Sequence, residues 1–168
     1  MKTKTQKIVM TSLLAALCCV ATMIIKIPSP LNGYINLGDC IVLLSGWVLP
    51  PAYGFLAAGL GSALADIFSG YIIYAPATFI IKGMMAIITA FVFKFLTNKT
   101  TVTVARIICA MAAEIVMILG YLVFESFLYG FEASIINIPA NAVQGLAGLV
   151  LGVILMRIYN KFFSKFLF

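Results

Sequence analysis

The chain of 168 residues contains no histidine, a single tryptophan and only 10% charged residues. The missing histidine removes the commonest general base and the commonest metal ligand. Four cysteines are present, Cys18, Cys19, Cys40 and Cys109, with no C-x-x-C spacing among them. Neither a zinc cluster nor a thioredoxin-type motif is therefore expected, and the vicinal pair Cys18-Cys19, inside an apolar run, reads as packing. No G-x-x-x-x-G-K-[ST], Gly-x-Ser-x-Gly or H-E-x-x-H occurs, so the usual marks of nucleotide, ester and peptide hydrolysis are absent. Acidic residues are scarce, five against eleven Lys and Arg. No polar stretch is long enough for a soluble domain.

What remains is hydrophobic. Apolar residues make up 64% of the chain and its mean hydropathy is +1.16, the composition of a polytopic membrane protein. Lys2, Lys4, Lys7, Lys94, Lys99, Arg106, Arg157, Lys161 and Lys165 all border hydrophobic spans on one face. The positive-inside rule makes that face cytoplasmic. The net charge of +6 thus reflects orientation in anionic lipid, and no nucleic-acid partner is expected. Asp39, Asp66, Glu125 and Glu132 fall near the outer face, Glu114 falls within a span, and Lys26 and Lys82 lie in the outer half.

Six helices follow from hydropathy and its breaks: 8–25, 40–49, 51–68, 76–96, 104–128 and 137–159. The first resembles a signal peptide, but its apolar stretch is long and no A-x-A-like site precedes Pro28, so it reads as a retained helix. The second is too short to span, because Pro50-Pro51 must end it. The outer loop 26–39, with two prolines and two glycines, is long enough to fold back as a lid. Gly148 and Gly152, with Gly145, place a small-residue face on the last helix. The expected fold is an all-α integral membrane protein, one domain over residues 1–168, a six-transmembrane-helix bundle with both termini cytoplasmic.

Ionisable and amide side chains at membrane depth mark cavities or partners. Lys82, about 9 Å into the fourth helix, either snorkels outward, pairs with Asp66, Glu114 or Glu125, or meets a ligand. Glu114, near mid-membrane, is a structural partner, a hydrogen-bonded acid or a ligand contact. Asn137, Asn141 and Gln144 share one stripe of the last helix and offer donors and acceptors suited to a substituted heteroaromatic ring. Tyr34 and Asn36 in the first loop, with Tyr74 before the fourth helix, add a stacking face and hydrogen bonds. No metal site is expected.

Four segments carry a resemblance to a known family: K-x-x-x-T-x-L-L-A-A-L near the start, the Gly33–Asp39 loop, Gly54–Asp66, and Tyr74-Ala-Pro-Ala-Thr-Phe-Ile-Ile-Lys-Gly83. The chain resembles the substrate-binding S components of energy-coupling factor (ECF) vitamin transporters over essentially its whole length. That resemblance implies a multi-pass cell-membrane protein that binds a vitamin on the outer side, with Tyr34, Asn36, Tyr74, Lys82, Glu114, Asn137, Asn141 and Gln144 as binding residues. It implies a transmembrane T component and two cytoplasmic ATPases as partners. ATP is then used by those partners, and no cofactor is bound by this chain. It implies that residues 32–39 form a gate, and that Ser12, Ala15, Ala16 and Cys19 stand in for the family's A-x-x-x-A docking patch in a looser form. Within the family the branch for pyridine or pyrimidine vitamins, pyridoxine-type B6 compounds or hydroxymethylpyrimidine, is the nearest match, with riboflavin the alternative. Two other classes compete: a solitary carrier for another small solute, and an intramembrane enzyme with an Asp39–Asp66 dyad.

Overall fold

A computed structural model describes residues 3–29, 31 and 33–162; Lys2 and Lys165 of the inner-face charge count, and Asn32 of the expected gate, lie outside the described residues. The first helix, α1 (Lys4–Ile24), begins four residues before the expected start. Thr3 caps it reciprocally: Gln6 N–H donates to Thr3 Oγ1 and Thr3 N–H to Gln6 Oε1, both at 3.2 Å, which satisfies two amides a helix end leaves open. The chain then turns extended into two short strands, β1 (Ile27–Pro28) and β2 (Tyr34–Ile35), paired antiparallel with Ile27 opposite Ile35. Next come α2 (Asp39–Val48), α3 (Pro51–Phe68), α4 (Ala75–Leu96) and α5 (Val102–Tyr129). A five-residue helix, α6 (Phe131–Ile135), precedes the last one, α7 (Ile138–Phe162). The sequence reading had a plain loop at α6. Gly130 makes that extra turn feasible: its φ of 88° lies in the left-handed region that only glycine adopts freely.

Among the described residues, α1, α3, α4, α5 and the α6–α7 unit are long and apolar enough to cross a membrane, and α2 completes the six-helix bundle. Large apolar side chains point outward along the long helices: Val9, Leu13, Phe91, Phe95, Leu119 and Val123 are all more than half exposed. In water such a surface would be a severe liability, whereas in hydrocarbon it is the expected exterior. The protein is accordingly a multi-pass membrane protein.

The short helix is the centre of the bundle. At ten residues α2 rises about 15 Å, half a hydrocarbon core. Eight of the ten are buried, packed against α1, α3, α4 and α7. Pro50 and Pro51 end it, with Leu49 extended. Because α2 fills only half the depth, the upper half of its position is occupied by the preceding loop. Asp39, expected at the end of an outer loop, is instead the first residue of α2 and is fully buried.

Two glycines set the helix spacing. A Cβ on Gly61 would lie 2.5 Å from the Ala15 carbonyl oxygen and 2.7 Å from Cys18 Cβ, so α3 touches the α1 backbone only because Gly61 has no side chain. A Cβ on Gly148 would meet Asp39 Cβ at 2.6 Å. The glycine face of α7 therefore packs inside the bundle, on α2.

Candidate substrate site

The loop before α2 is held in place by amide chemistry. Asn36 Oδ1 accepts from Gly38 N–H at 2.9 Å, tightening the turn into α2. From the same residue, the backbone N–H and Nδ2 both donate to Gln144 Oε1 of α7, at 3.0 and 3.3 Å. Gln144 turns its other end downward, Nε2 donating to Asp39 Oδ2 at 2.7 Å. Asp39 Oδ1 accepts from Lys82 of α4 in a buried ion pair. Loop, α7, α2 and α4 are thus joined by one continuous polar chain in low dielectric, where satisfied networks are strong and broken ones costly.

Above this chain lies a cavity. It is walled by Ser29, Gly33, Tyr34 and Asn36 from the loop, by Asp66, Tyr71, Tyr74 and Thr78 from α3 and the turn and helix that follow, and by Tyr121, Glu125, Asn137, Asn141 and Gln144 from α5 to α7. Tyr34 closes it from the loop side: its hydroxyl donates to Asp66 Oδ1 at 2.7 Å, and its ring packs on Tyr71 with centroids 4.7 Å apart. Burial, together with the Asp66 carboxylate, holds the Tyr34 phenol above its ordinary pKa, so it stays a donor at neutral pH. Opposite, Glu125 Oε1 accepts from Asn137 Nδ2 at 2.7 Å and from the Tyr74 hydroxyl at 3.4 Å. Glu125 Oε2 and Asn137 Oδ1 are buried and make no protein hydrogen bond. Both residues line the cavity, and such atoms are normally satisfied by something. The free volume is about 30 Å³, space for water; ligand pockets run to roughly 300–1,000 Å³.

Six residues expected from the sequence therefore share this cavity: Tyr34, Asn36, Tyr74, Asn137, Asn141 and Gln144. Two others do not reach its walls. Lys82 lies beneath, spent on Asp39, with its Nζ 5.5 Å from the Tyr121 ring centroid; none of the partners expected for it, Asp66, Glu114 or Glu125, is its ion pair. Glu114 lines a separate apolar crevice of about 250 Å³ between α5 and α7. Its carboxyl packs against Gly145 and Gly148 and neither oxygen has a protein partner. Asp66 and Glu125, expected as partners for Lys82, with Asp66 also half of the Asp39–Asp66 alternative, are walls of the cavity, as is Tyr71. Ser29, Thr78 and Tyr121 carried no signal beyond residue type.

On α1 the four small residues divide. Ser12 and Ala16 are exposed on the outward face, whereas Ala15 and Cys19 are half-buried, with the Ala15 carbonyl against Gly61.

A family model described as ECF-type riboflavin transporter, S component, matches residues 2–161. The chain belongs to this family of ECF transporter S components. Its fold is similar to that of a solved S component of a bacterial ECF transporter, with a TM-score of 0.72 and 22% identity over 96% of this chain and 99% of that one. A protein of Pyrococcus woesei, described as an uncharacterized protein in the gap 3′ region, is 34% identical over 134 residues, 79% of this chain and 87% of its own length. ECF S components are membrane transport proteins that work with a T component and ATPases, and the family is not one of enzymes.

Proposed function

We propose that this chain binds riboflavin in the cavity beneath the loop and delivers it into the cell as the S component of an ATP-driven ECF transporter. The observation that carries the choice of vitamin is the riboflavin description of the family model matching residues 2–161. The chemistry of the walls supports it. Tyr34, Tyr71, Tyr74 and Tyr121 offer aromatic faces for a flat ring system. Glu125 Oε2 and Asn137 Oδ1 offer free acceptors for hydroxyl and ring N–H donors. Asn141 and Gln144 supply both polarities. The proposed binding set is thus Tyr34, Asn36, Tyr74, Asn137, Asn141 and Gln144, with Asp66, Tyr71, Tyr121 and Glu125 added. Lys82 and Glu114 serve the scaffold.

A smaller vitamin, pyridoxine or hydroxymethylpyrimidine, is the second reading. It is favoured by the 30 Å³ cavity, because a single ring displaces less of the loop. Partners in either case are a T component and two cytoplasmic ATPases that use the ATP, with Ser12 and Ala16 the members of the small-residue set placed to touch the T component.

Riboflavin fluorescence separates these readings. Titration of the vitamin with the purified chain in detergent is expected to quench it to a one-to-one end point. Pyridoxine, pyridoxamine and hydroxymethylpyrimidine in excess are expected to leave the quench in place. Displacement by one of them at lower concentration than riboflavin itself moves the assignment to that compound. Proteoliposomes holding this chain alone are expected to accumulate nothing, and uptake without the ATPase subunits overturns the S-component reading in favour of a solitary carrier.

A further inference from the structure

At the cytoplasmic end of the bundle one cation is placed unlike the rest. Lys94, Lys99, Arg157 and Lys161 are exposed, as hydrated charges at a membrane edge should be. Arg106, five residues into α5, is only 7% exposed, and its Nε is buried with no partner among the described residues. Its guanidinium lies over the Phe93 ring of α4, 5.8 Å from the centroid. Arg157 of α7 is within electrostatic reach of Arg106. One turn along, Cys109 donates to the Arg106 carbonyl at 3.2 Å and receives the Trp47 indole N–H of α2 at 3.1 Å. Arg106 therefore sits in a notch where α4 and α5 meet, with α2 tied to α5 one turn along.

No acidic side chain of the described residues lies beside it. The five acids are Asp39, Asp66, Glu114, Glu125 and Glu132, all in the outer half or mid-membrane. The nearest along the helix, Glu114, is about 12 Å away and faces Gly145 and Gly148. A buried guanidinium with a second one within electrostatic reach is costly without an anion, and a cation–π contact offsets little of that. Guanidinium matches phosphate geometry with paired N–H donors, and basic notches between helices on the cytoplasmic side of a membrane are where anionic headgroups settle.

We infer that Arg106 and Arg157 form a binding site for the phosphate of an anionic phospholipid in the inner leaflet. The lipid lies between the ends of α4, α5 and α7, its acyl chains along the exposed apolar surface of those helices, and its phosphate supplies the anion that the guanidinium faces. This site is separate from the vitamin cavity at the other end of the bundle and does not depend on which vitamin is bound.

The experiment uses the whole chain purified in a neutral detergent, titrated with phosphatidylglycerol or phosphatidylcholine and read by native mass spectrometry and thermal unfolding. One phosphatidylglycerol is expected to be retained per chain and to raise the melting temperature saturably. Phosphatidylcholine and millimolar inorganic phosphate are expected to do neither. Arg106→Gln should weaken phosphatidylglycerol at least tenfold, while Lys94→Gln and Lys99→Gln leave it unchanged and riboflavin binding is intact in all three. Arg157→Gln, at an exposed position, repeats the test without risk to folding and should weaken the lipid severalfold. Equal loss in the Lys94, Lys99 and arginine variants means diffuse attraction and overturns the site, as does equal retention by wild type and both arginine variants. No lipid retained, with Arg106→Gln instead losing the T component, assigns the notch to a partner's carboxylate and also overturns the proposal.

Discussion

Lys82 and Asp39 form an ion pair with almost no exposed side-chain surface, 3% and 0% respectively. The aspartate is shared: one oxygen faces the lysine of α4 and the other receives the Gln144 amide of α7. Gln144 in turn holds Asn36 of the loop. The cavity floor is therefore built from charges that neutralise one another, which leaves its walls to amides, hydroxyls and the two acids Asp66 and Glu125. That arrangement suits an uncharged ring compound better than an anionic one.

Removing one member of the pair should be far worse than removing both. Lys82→Met leaves Asp39 buried with only a neutral partner and is expected to cost about 3–5 kcal/mol of stability. Lys82→Met combined with Asp39→Leu should recover most of that loss. Thermal unfolding of the purified variants measures it; equal losses in the single and double variants would mean the pair contributes no mutual stabilisation.

Tyr34→Phe keeps the ring against Tyr71 and deletes the 2.7 Å bond to Asp66. One net hydrogen bond to a carboxylate contributes about 1.5–3 kcal/mol, so the loop should open more readily, the vitamin leave at least tenfold faster and the melting temperature fall. The phenol's raised pKa adds a pH signature. A group that holds its proton more tightly when folded contributes stability that is present below its ordinary value, about 10, and is lost as pH rises above it. The alkaline fall in melting temperature should be shallower in Tyr34→Phe than in wild type.

Two glutamates separate binding from packing. Glu125→Gln changes an acceptor that faces the cavity into a donor and is expected to weaken the vitamin by about tenfold, the loss of one charged hydrogen bond. Glu114→Gln, outside the cavity and in contact with glycines, should leave affinity unchanged and stability undiminished, because the carboxyl has no partner to lose. Fluorescence titration and melting of both variants check this; a large affinity loss at Glu114 would place it in the binding route.

Gly61→Val tests the contact that seats α1. Two neighbours lie where the first carbon would go, and overpacking of this kind typically costs about 1–3 kcal/mol. A lowered melting temperature, with α1 more accessible to protease, is the expected result. An unchanged melting temperature would mean that α1 packs elsewhere in lipid.

Much of this was legible in the sequence because hydropathy and proline act locally. The spans followed from apolar runs, the truncation of α2 from Pro50-Pro51, and the shared face of Asn137, Asn141 and Gln144 from helical spacing. Asp39 was misplaced because Gly38-Asp39 reads equally as the end of a loop or the first turn of a helix, and only the packing of α2 decides. That one boundary concealed the partner of Lys82. Glu114 falls outside the cavity walls, since azimuth depends on which helices flank α5 and residue count does not give it. The division of Ser12 and Ala16 from Ala15 and Cys19 was hidden for the same reason.

The half-length of α2 has a consequence for selectivity. Where a helix would satisfy its own backbone, the loop occupying the outer half relies on side chains: Gln144 accepts the Asn36 N–H, and the Tyr34 hydroxyl reaches Asp66. A solute that displaces the loop releases those groups, and each must be re-partnered or the complex fails. On the proposed function the loop would thus also act as a filter: a compound of the right size that lacks matching donors and acceptors would leave unreplaced the bonds it breaks.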